Sequence, residues 1–202
     1  MSIASPDTTP RLVEQALPLA FFRRSVLEVA RELLGTVLVV PPLALLVTET
    51  EAYHESERGA HAYGGRRTDR NAVMFEPGGV AYVYFVYGMH WQFNVVTGQA
   101  GTGEAVLIRA GIPQGDAAAL ALFRERRGFD RPGRKPPPRL DRWVDGPGKL
   151  SQALAIDRTL NGQPFEPGRP AWFARGPAAP EPEVVTGPRV GIDYAGDDAL
   201  LP

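Results

Sequence analysis

Cysteine is absent from the 202-residue chain. Its absence excludes disulfide bridges, thiolate nucleophiles and cysteine-based zinc or iron–sulfur sites, and leaves histidine and carboxylates as the conventional metal ligands. Long apolar runs are also lacking, since no stretch approaches the roughly 18 residues that a membrane-spanning helix needs. The N-terminal segment, with Pro6 and Pro10, has no apolar region of the kind found in secretory signals. We therefore expect one domain that is neither exported nor membrane-bound.

Net charge is small too, because 22 Lys and Arg residues oppose 23 Asp and Glu residues. Taken alone, this balance argues against a nucleic-acid partner. The charge is unevenly distributed, however: residues 58–142 hold 13 cations and seven anions, a net +6, whereas residues 1–57 sum to −4 and residues 143–202 to −3. Only two cations are lysines, so the basic middle presents guanidinium groups suited to bidentate phosphate contacts, although a merely solvated face has the same composition.

Histidine and tyrosine are concentrated in one short window. All three histidines and five of the six tyrosines lie within residues 53–90, beside the first cluster of arginines. Aromatic rings interleaved with cations are typical of proteins that hold an unpaired nucleobase. The functional site is therefore expected in this window.

The first firm element is an amphipathic helix of about ten residues. Ser25 and Glu28 form a capping box, apolar residues follow at helical spacing, and Gly35 ends the helix. The preceding residues 1–18 contain three prolines and no sustained periodicity. They predict a flexible, poorly ordered N-terminal arm, which leaves residues 19–202 as the domain proper.

Strands are predicted on both sides of a long polar connection. The predicted strands are 36–40 and 43–50, joined by Pro41 and Pro42, and then 80–87, 93–96 and 105–110. Sequential hairpins imply a largely antiparallel sheet. Residues 54–79 form a connection so long that a functional role is expected. Further predictions are helices at 117–127 and 150–156, an exposed Pro/Arg-rich loop at 129–138, and short strands and coil around 184–192. We predict a single α+β domain.

Two acids end the second predicted strand. Because side chains alternate, Glu49, Glu51 and Tyr53 would share one face of an extended chain. An acid in this position can serve as a general base, although most such acids are simply solvated. A glycosidase pair is set aside, since residues i and i+2 lie side by side and cannot flank a bond from opposite faces.

A metal site is a weaker alternative. His54, Glu55, Glu57 and His61 offer nitrogen and oxygen ligands, but they lack the i, i+4 histidine spacing of a helical zinc site. A structural or solvated role is favoured, and we predict neither a metal nor another cofactor.

Large side chains collect at a predicted hairpin tip. Three tyrosines in six residues are followed at once by Gly88, Met89, His90 and Trp91. Globular packing does not require such rings at an exposed tip. A tip of this shape can wedge between the base steps of a duplex.

Many short motifs follow one another along residues 19–196. They are Glu49-Thr50-Glu51-Ala52-Tyr53, His61, Gly64-Gly65-Arg66, Thr68 to Asn71, Met74-Phe75, Tyr82-Val83-Tyr84, Tyr87-Gly88-Met89, Asn94, Val106 to Ala110, Gly146-Pro147-Gly148-Lys149-Leu150, Gln152 to Ile156, and Arg189-Val190-Gly191-Ile192 with Tyr194-Ala195-Gly196. In this order and spacing they resemble the alkyladenine (3-methyladenine) DNA glycosylases. The residues at His90 and Trp91 differ from those of the vertebrate members.

The resemblance implies a curved, largely antiparallel sheet with flanking helices and a protruding β-hairpin, similar also to the C-terminal domain of formyltransferases. It implies a monofunctional glycosylase of base-excision repair that removes 3-methyladenine, 7-methylguanine, hypoxanthine and ethenoadenine from double-stranded DNA. A monomer without a cofactor is expected, acting in the cytoplasm of a bacterium at the nucleoid.

The resemblance also implies roles for single residues. Glu51 resembles the general base that activates water, and Arg109 the residue that helps to hold that water and the adjacent phosphate. The pocket residues would be Tyr53, His61 and Tyr84 as walls around the flipped base, with the His61 backbone bonding it and Asn94 crowding the 2-amino group of guanine. The DNA contacts would be Tyr87 as the wedge, Met89 beside it, and Arg66, Thr68, Arg70 and Lys149 on the backbone or pocket rim.

Lysine scarcity bears on the reaction. Glycosylases that also cleave the strand commonly form a Schiff base through an amine. Apart from the N-terminus, only Lys135 and Lys149 could supply one, so hydrolysis by water is the better hypothesis. The rival from another class is a non-catalytic module that binds damaged DNA or RNA through the same basic, aromatic middle.

Overall fold

A computed structural model of the chain describes residues 8–177 and 184–200. The helices are α1 Thr8–Glu14, α2 Leu19–Phe22, α3 Val26–Leu33, α4 Ala117–Arg126 and α5 Pro147–Leu154, and the strands are β1 Val37–Val40, β2 Leu43–His54, β3 Ala81–Val86, β4 His90–Val96, β5 Glu104–Gln114, β6 Val144–Asp145 and β7 Trp172–Ala174. The main path of the sheet runs β3-β4-β5-β2-β1-β7, with β6 paired to β5, and every recorded strand pair is antiparallel. The α+β fold with a curled antiparallel sheet is confirmed.

The core lies between the sheet and the helices. Its fully buried aromatic residues include Phe22, Phe93, Phe123 and Phe173, which come from helices and strands alike. Helix α3 contributes Leu33 and three further buried residues from one face. Burial of such side chains contributes about 1.5–3 kcal/mol each, so the helical layer holds the sheet in the shape that positions the site.

The predicted start of α3 is confirmed in detail. Ser25 caps the helix by accepting from the Glu28 backbone N–H, and its hydroxyl donates to the Glu28 carboxylate at 2.8 Å. The chain leaves the helix through Gly35, whose φ of 78° favours glycine. The capped helix packs against β2, where the Thr50 hydroxyl donates to the Ala30 carbonyl at 2.9 Å.

Strand β2 is longer than predicted and carries an irregularity. It pairs with β1 as the expected hairpin and continues to His54, four residues beyond the predicted end. Its register with β5 shifts between Val47 and Glu49 and again between Glu49 and Thr50, which marks a bulge. The long pairing with β5 keeps the strand extended through Tyr53, and the acids therefore remain on the sheet.

Strands β3 and β4 form the predicted hairpin. Strand β4 begins at His90, three residues earlier than expected, because Trp91 packs on Phe85 with ring centroids 4.8 Å apart. At the tip, Tyr87 and Gly88 have φ values of 53° and 67°, and the Met89 N–H donates to the Val86 carbonyl at 3.1 Å. This geometry closes a tight turn whose twist suits a hairpin.

The predicted N-terminal arm is corrected from residue 8 onward. Residues 1–7 lie outside the described residues, but α1 follows them, Leu12 and Leu17 are buried, and Ala16 forms a β-bridge with Ala174 of β7. The physical reason is apolar burial, because Leu12 packs on the β1–β7 end of the sheet.

Two other expectations differ from the structure. The helix predicted to start at Leu150 starts at Pro147, because proline suits the first turn of a helix. Residues 184–192 form no strand, and the strand of this part of the chain is instead β7, at the end of the sheet path.

Glu104 at the start of β5 gives a test of how the helical layer is attached. Its carboxylate is buried and accepts the Val26 N–H of α3 at 3.0 Å. It also packs against Gly98 so closely that a Cβ at that position would lie 1.7 Å from Oε1 of Glu104. Burial is the largest effect on this group and raises the pKa of Glu104 above its ordinary value. Folding therefore favours the protonated acid, and the stability of the wild type falls as pH rises through the folded pKa.

We expect Glu104→Gln to match or exceed the wild type in free energy of unfolding at pH 7, and to lose that relative gain below the ordinary glutamate pKa. The amide is uncharged at every pH and still accepts from Val26. Urea unfolding at pH 4 and pH 7 measures the difference, with the exposed Glu76→Gln as the control. A variant that loses stability relative to the wild type as pH rises would contradict this reasoning.

Candidate functional site

A cavity of about 370 Å³ opens between the strands that carry the predicted site residues. Strands β2, β3, β4 and β5 supply most of its lining, Pro147 at the start of α5 closes one side, and residues 190–192 close another. Such a volume lies in the range of small-molecule sites. The cavity brings together six of the predicted residues, which are Glu51, Tyr53, His61, Tyr84, Asn94 and Arg109, and the wedge candidate Tyr87 lies at its edge.

Glu51 lies in the cavity wall with its side chain only 8% exposed. The Tyr53 hydroxyl donates to Oε2 at 2.9 Å, and the Val190 N–H donates to Oε1 at 3.1 Å. The Arg109 guanidinium pairs with Oε1 at 3.3 Å. A buried carboxylate without such partners would cost several kcal/mol, so these contacts offset the cost of burial and orient the acid.

Arg109 joins the two predicted acids. Its Nε donates to Glu49 Oε1 at 2.9 Å while Nη1 reaches Glu51, and its side chain is 12% exposed. Arg109 lies at the irregularity of the β2–β5 register, between Ile108 and Ala110, which pair with Thr50 and Glu49. The planar fork of arginine suits such a bridge, whereas the ammonium of lysine is a point charge.

Tyr53 is contacted by Arg189, a residue for which no role was predicted. The Arg189 guanidinium lies 4.7 Å from the centre of the Tyr53 ring and is ion-paired with Glu57. Arg189 itself does not line the cavity, so it contacts the Tyr53 ring from outside the lining. Burial is the largest effect that raises the pKa of Tyr53, followed by Glu51, so the hydroxyl stays protonated and donates to Glu51.

A second aromatic wall consists of His61, Tyr82 and Tyr84. The His61 and Tyr84 ring centroids are 4.4 Å apart, those of Tyr82 and Tyr84 are 5.1 Å apart, and His61 Nδ1 hydrogen-bonds the Tyr82 hydroxyl at 2.9 Å. Burial and, to a smaller extent, Arg70 lower the pKa of His61 below its ordinary value. The imidazole is therefore neutral at pH 7 and adds no positive charge to this wall.

Asn71 fixes the loop that carries His61. Its buried side chain donates to the carbonyls of His61 and Arg66 at 2.8 and 2.9 Å and accepts from the Thr68 N–H at 2.6 Å. Asn71 was part of a recognised motif but had no assigned role. Asn94, also buried, donates to the Tyr82 carbonyl at 3.1 Å and lies in the cavity lining.

Of the six predicted DNA contacts, Tyr87 lines the cavity and the other five do not. Tyr87 and Met89 stand exposed at the hairpin tip, at 82% and 67%. Arg70 donates to the Phe85 carbonyl near the tip of the hairpin and lies 5.4 Å from the Tyr84 ring centre. The other three are Arg66 and Thr68 in the loop braced by Asn71, and Lys149 in α5, which pairs with Asp145 at 2.6 Å.

The four candidate metal ligands are occupied otherwise. Glu57 pairs with Arg189, Glu55 accepts the Gly103 N–H at 2.7 Å, and His54 hydrogen-bonds Ser56. Over residues 8–177 and 184–200, no group of three or more His, Asp and Glu side chains is arranged to hold a metal. In the same part of the chain, no helix combines the length and apolar character that a bilayer crossing requires.

Comparison with known proteins gives a consistent result. The family model described as methylpurine-DNA glycosylase matches residues 20–202. A protein of Rhodopseudomonas palustris is 45% identical over 88% of this chain and 82% of its own length, one of Carboxydothermus hydrogenoformans is 44% identical over 90% and 91%, and one of Bacillus licheniformis is 41% identical over 93% and 91%. Each of the three bears the name "Putative 3-methyladenine DNA glycosylase".

The Arg189–Glu57 ion pair gives a test of how the cavity wall is held. The two side chains are 2% and 13% exposed, and removal of one partner from a buried pair typically costs about 3–5 kcal/mol. We expect Arg189→Met to lower the free energy of unfolding by that amount because Glu57 is left buried and unpaired.

The double variant Glu57→Gln with Arg189→Met should recover a large part of this loss, since it leaves no unpaired charge. Urea unfolding of the two single variants and the double variant forms a complete cycle. A single Arg189→Met variant within about 0.5 kcal/mol of the wild type, the range of ordinary surface changes, would show that the pair does not support the wall.

Proposed function

The chain belongs to the methylpurine-DNA glycosylase family, and from that premise we propose that it is a monofunctional glycosylase that flips a damaged purine out of duplex DNA and hydrolyses its N-glycosyl bond. The substrates are alkylated or deaminated purines: 3-methyladenine, 7-methylguanine, hypoxanthine and ethenoadenine. The observation that carries the proposal is the Glu51 carboxylate, oriented by three donors in the wall of a cavity that aromatic rings line. We expect a monomer that acts on DNA in the bacterial cytoplasm.

The cavity suits an extruded purine that carries positive charge. A purine inside a duplex is inaccessible, so it must be flipped at a cost of a few kcal/mol. Tyr53 forms one wall, and His61 with Tyr84 forms the other. The π faces of these rings attract an alkylated, cationic base by about 2 kcal/mol when desolvated. The lowered pKa of His61 matters here, because a neutral imidazole does not repel the cation.

Glu51 has one acceptor position left for chemistry. A carboxylate offers about four lone-pair sites, of which Val190 and Arg109 approach Oε1 and Tyr53 approaches Oε2. The free site on Oε2 takes the proton from an attacking water, and the negative charge stabilises the oxocarbenium-like sugar that forms as the base departs. A cationic alkylated base departs as a neutral molecule, whereas neutral hypoxanthine needs a proton from a general acid in addition. Arg109 helps to hold that water and the adjacent phosphate.

Neither lysine favours a Schiff-base route. Lys149 is paired with Asp145, Lys135 belongs to the exposed loop after α4, and neither lines the cavity. Water is therefore the nucleophile in this proposal. Asn94 would crowd the 2-amino group of guanine and so disfavour the normal base.

The hairpin supplies the wedge. Tyr87 at the tip fills the space that the flipped base leaves, and Met89 lies beside it. The backbone and pocket-rim contacts are Arg66, Thr68, Arg70 and Lys149. The stacking that Tyr87 restores offsets part of the cost of flipping.

Replacement of the general base tests the mechanism. We expect Glu51→Gln to lower the single-turnover rate of base release by about 10²–10⁴-fold, the usual contribution of a positioned general base, while binding to damaged duplex persists. The measurement is a base-release panel over 3-methyladenine, 7-methylguanine, hypoxanthine and ethenoadenine in defined duplexes. Glu49→Gln is the matched comparison, because this acid shares Arg109 but does not line the cavity.

The panel also separates the rival function. An unchanged rate of base release in the Glu51→Gln variant would contradict the assigned mechanism. Damaged-duplex binding by the wild type without release of any of the four bases would instead favour a non-catalytic binding module.

The wedge is tested by two variants of one residue. We expect Tyr87→Ala to weaken binding to a damaged duplex by about 1–3 kcal/mol, the usual worth of one base–aromatic stack, and to leave binding to the same lesion in a single strand nearly unchanged. Tyr87→Phe keeps the ring and should keep the affinity. Fluorescence anisotropy with both substrates decides, and equal losses on duplex and single strand would argue against a wedge.

A further inference from the structure

One strongly basic segment has no part in the base-removal chemistry. The loop that follows α4, residues 129–142, is called the arginine loop below. Its cations are Arg131, Arg134, Lys135, Arg139 and Arg142, against two acids, Asp130 and Asp141. All five cations are exposed, and none of them lines the cavity.

Both acids of the arginine loop are already engaged. Asp130 pairs with Arg124 of α4, and Asp141 lies 3.4 Å from Arg139. Within the described part of the chain, no ion pair involves Arg131, Arg134, Lys135 or Arg142. The loop therefore presents a cluster of positive charge that the folded domain itself leaves uncompensated.

The arginine loop is held firmly on the domain. Trp143 Nε1 donates to the Pro138 carbonyl at 2.9 Å, and the rings of Phe129 and Trp143 pack with centroids 5.5 Å apart. Four of its residues are prolines, which stiffen an extended chain. A fixed array of guanidinium groups loses less entropy on binding than a floppy tail does.

The loop begins beside the proposed DNA interface. Arg127, at the end of α4, donates to the Trp143 carbonyl at 2.9 Å and hydrogen-bonds Gln152 of α5. Lys149 lies three residues before Gln152 in α5, a separation of about 4.5 Å along the helix axis. At the start of the same helix Pro147 lines the cavity, and Gly148 is so close to His90 of the hairpin that a Cβ would lie 2.9 Å from the ring.

The charge near this junction also points to an anionic partner. Burial is the main effect that lowers the pKa of Arg127; Asp145 opposes this effect, and the nearby Arg134 lowers the pKa to a smaller extent. Arg127 and Arg134 thus lie close enough to repel each other, although Asp145 compensates part of their charge. A bound phosphate would relieve that repulsion, and guanidinium forks suit phosphate oxygens.

We propose that the arginine loop is a second DNA contact, which grips backbone phosphates of the duplex flanking the lesion while the hairpin and cavity engage the damaged nucleotide. The proposal rests on the proposed function, since it takes the same DNA as partner. It assigns the loop to sequence-independent affinity and to movement along undamaged DNA. Phosphate contacts position a protein and do not read bases.

The test removes three charges that have no partner within the domain. The variant combines Arg131→Gln, Arg134→Gln and Lys135→Gln. The matched control combines Arg11→Gln, Arg169→Gln and Arg175→Gln, which are exposed and lie in or near α1 and β7, at the opposite end of the sheet path from the hairpin. Each protein is titrated by anisotropy between 50 and 200 mM salt with two hypoxanthine-containing duplexes. One has about 25 base pairs and the other about 9, which at about 3.4 Å per phosphate along each strand span about 85 and 31 Å.

On the long duplex, we expect the slope of log affinity against log salt to become shallower by about 2–3, because each lost phosphate contact removes roughly 0.9. On the short duplex and in the control the slope should be unchanged, and the single-turnover rate of base release at saturating enzyme should equal that of the wild type. An unchanged slope on the long duplex, or an equal loss in the control, would overturn the proposal.

The two proposals can fail separately. A shallower slope in a protein whose wild type releases no base would support the arginine loop and reject the glycosylase mechanism. Normal base release together with an unaltered salt dependence would reject the loop alone.

Discussion

Glu51 can be buried in the cavity wall only because three donors from three different places in the chain converge on its carboxylate. Tyr53 comes from the same strand, Arg109 from the neighbouring strand β5, and Val190 from a segment 139 positions away. An unpaired carboxylate in that position would carry an uncompensated desolvation cost of several kcal/mol. The β2–β5 register and the docking of residues 189–192 are therefore linked through one carboxylate.

The same constraint explains which parts of the site the sequence could predict. Alternation along β2 placed Glu51 and Tyr53 correctly, because side-chain direction in a strand is a local property. The capping box at Ser25 and the turn at Gly88 are local as well. The bracing by Val190 and Arg189 is not, since no periodicity connects two segments that meet only after the sheet has formed. The motif resemblance marked those residues but gave them no physical task.

The two ends of the sheet path also have features that local sequence patterns do not predict. Strand β7 has three residues, and its partners are β1 and a bridge to Ala16. Helix α1 covers that end of the sheet, where its Leu12 packs beside Trp172 and Ala174. At the other end of the path, the hairpin holds Tyr87 in a left-handed conformation that costs a non-glycine residue roughly 1–2 kcal/mol. Strain that persists with an 82% exposed aromatic ring is typical of a functional position, because neither feature helps the domain to fold.

At two positions the structure shows why arginine is present and not lysine. Composition alone does not reveal which arginines these are. At Arg109 one planar fork joins Glu49 and Glu51, and at Arg189 a guanidinium stacks on Tyr53 while it pairs with Glu57. An ammonium can neither bridge two carboxylates in a plane nor stack flat on a ring. These two arginines face inward and form ion pairs with carboxylates of the acidic N-terminal part, residues 1–57. Arg131, Arg134 and Arg142 of the basic middle are exposed and have no carboxylate partner within the described residues, and for them the same fork is free to meet phosphate. The net charge of −1 therefore describes neither the inward-facing, paired arginines nor the exposed, unpaired ones.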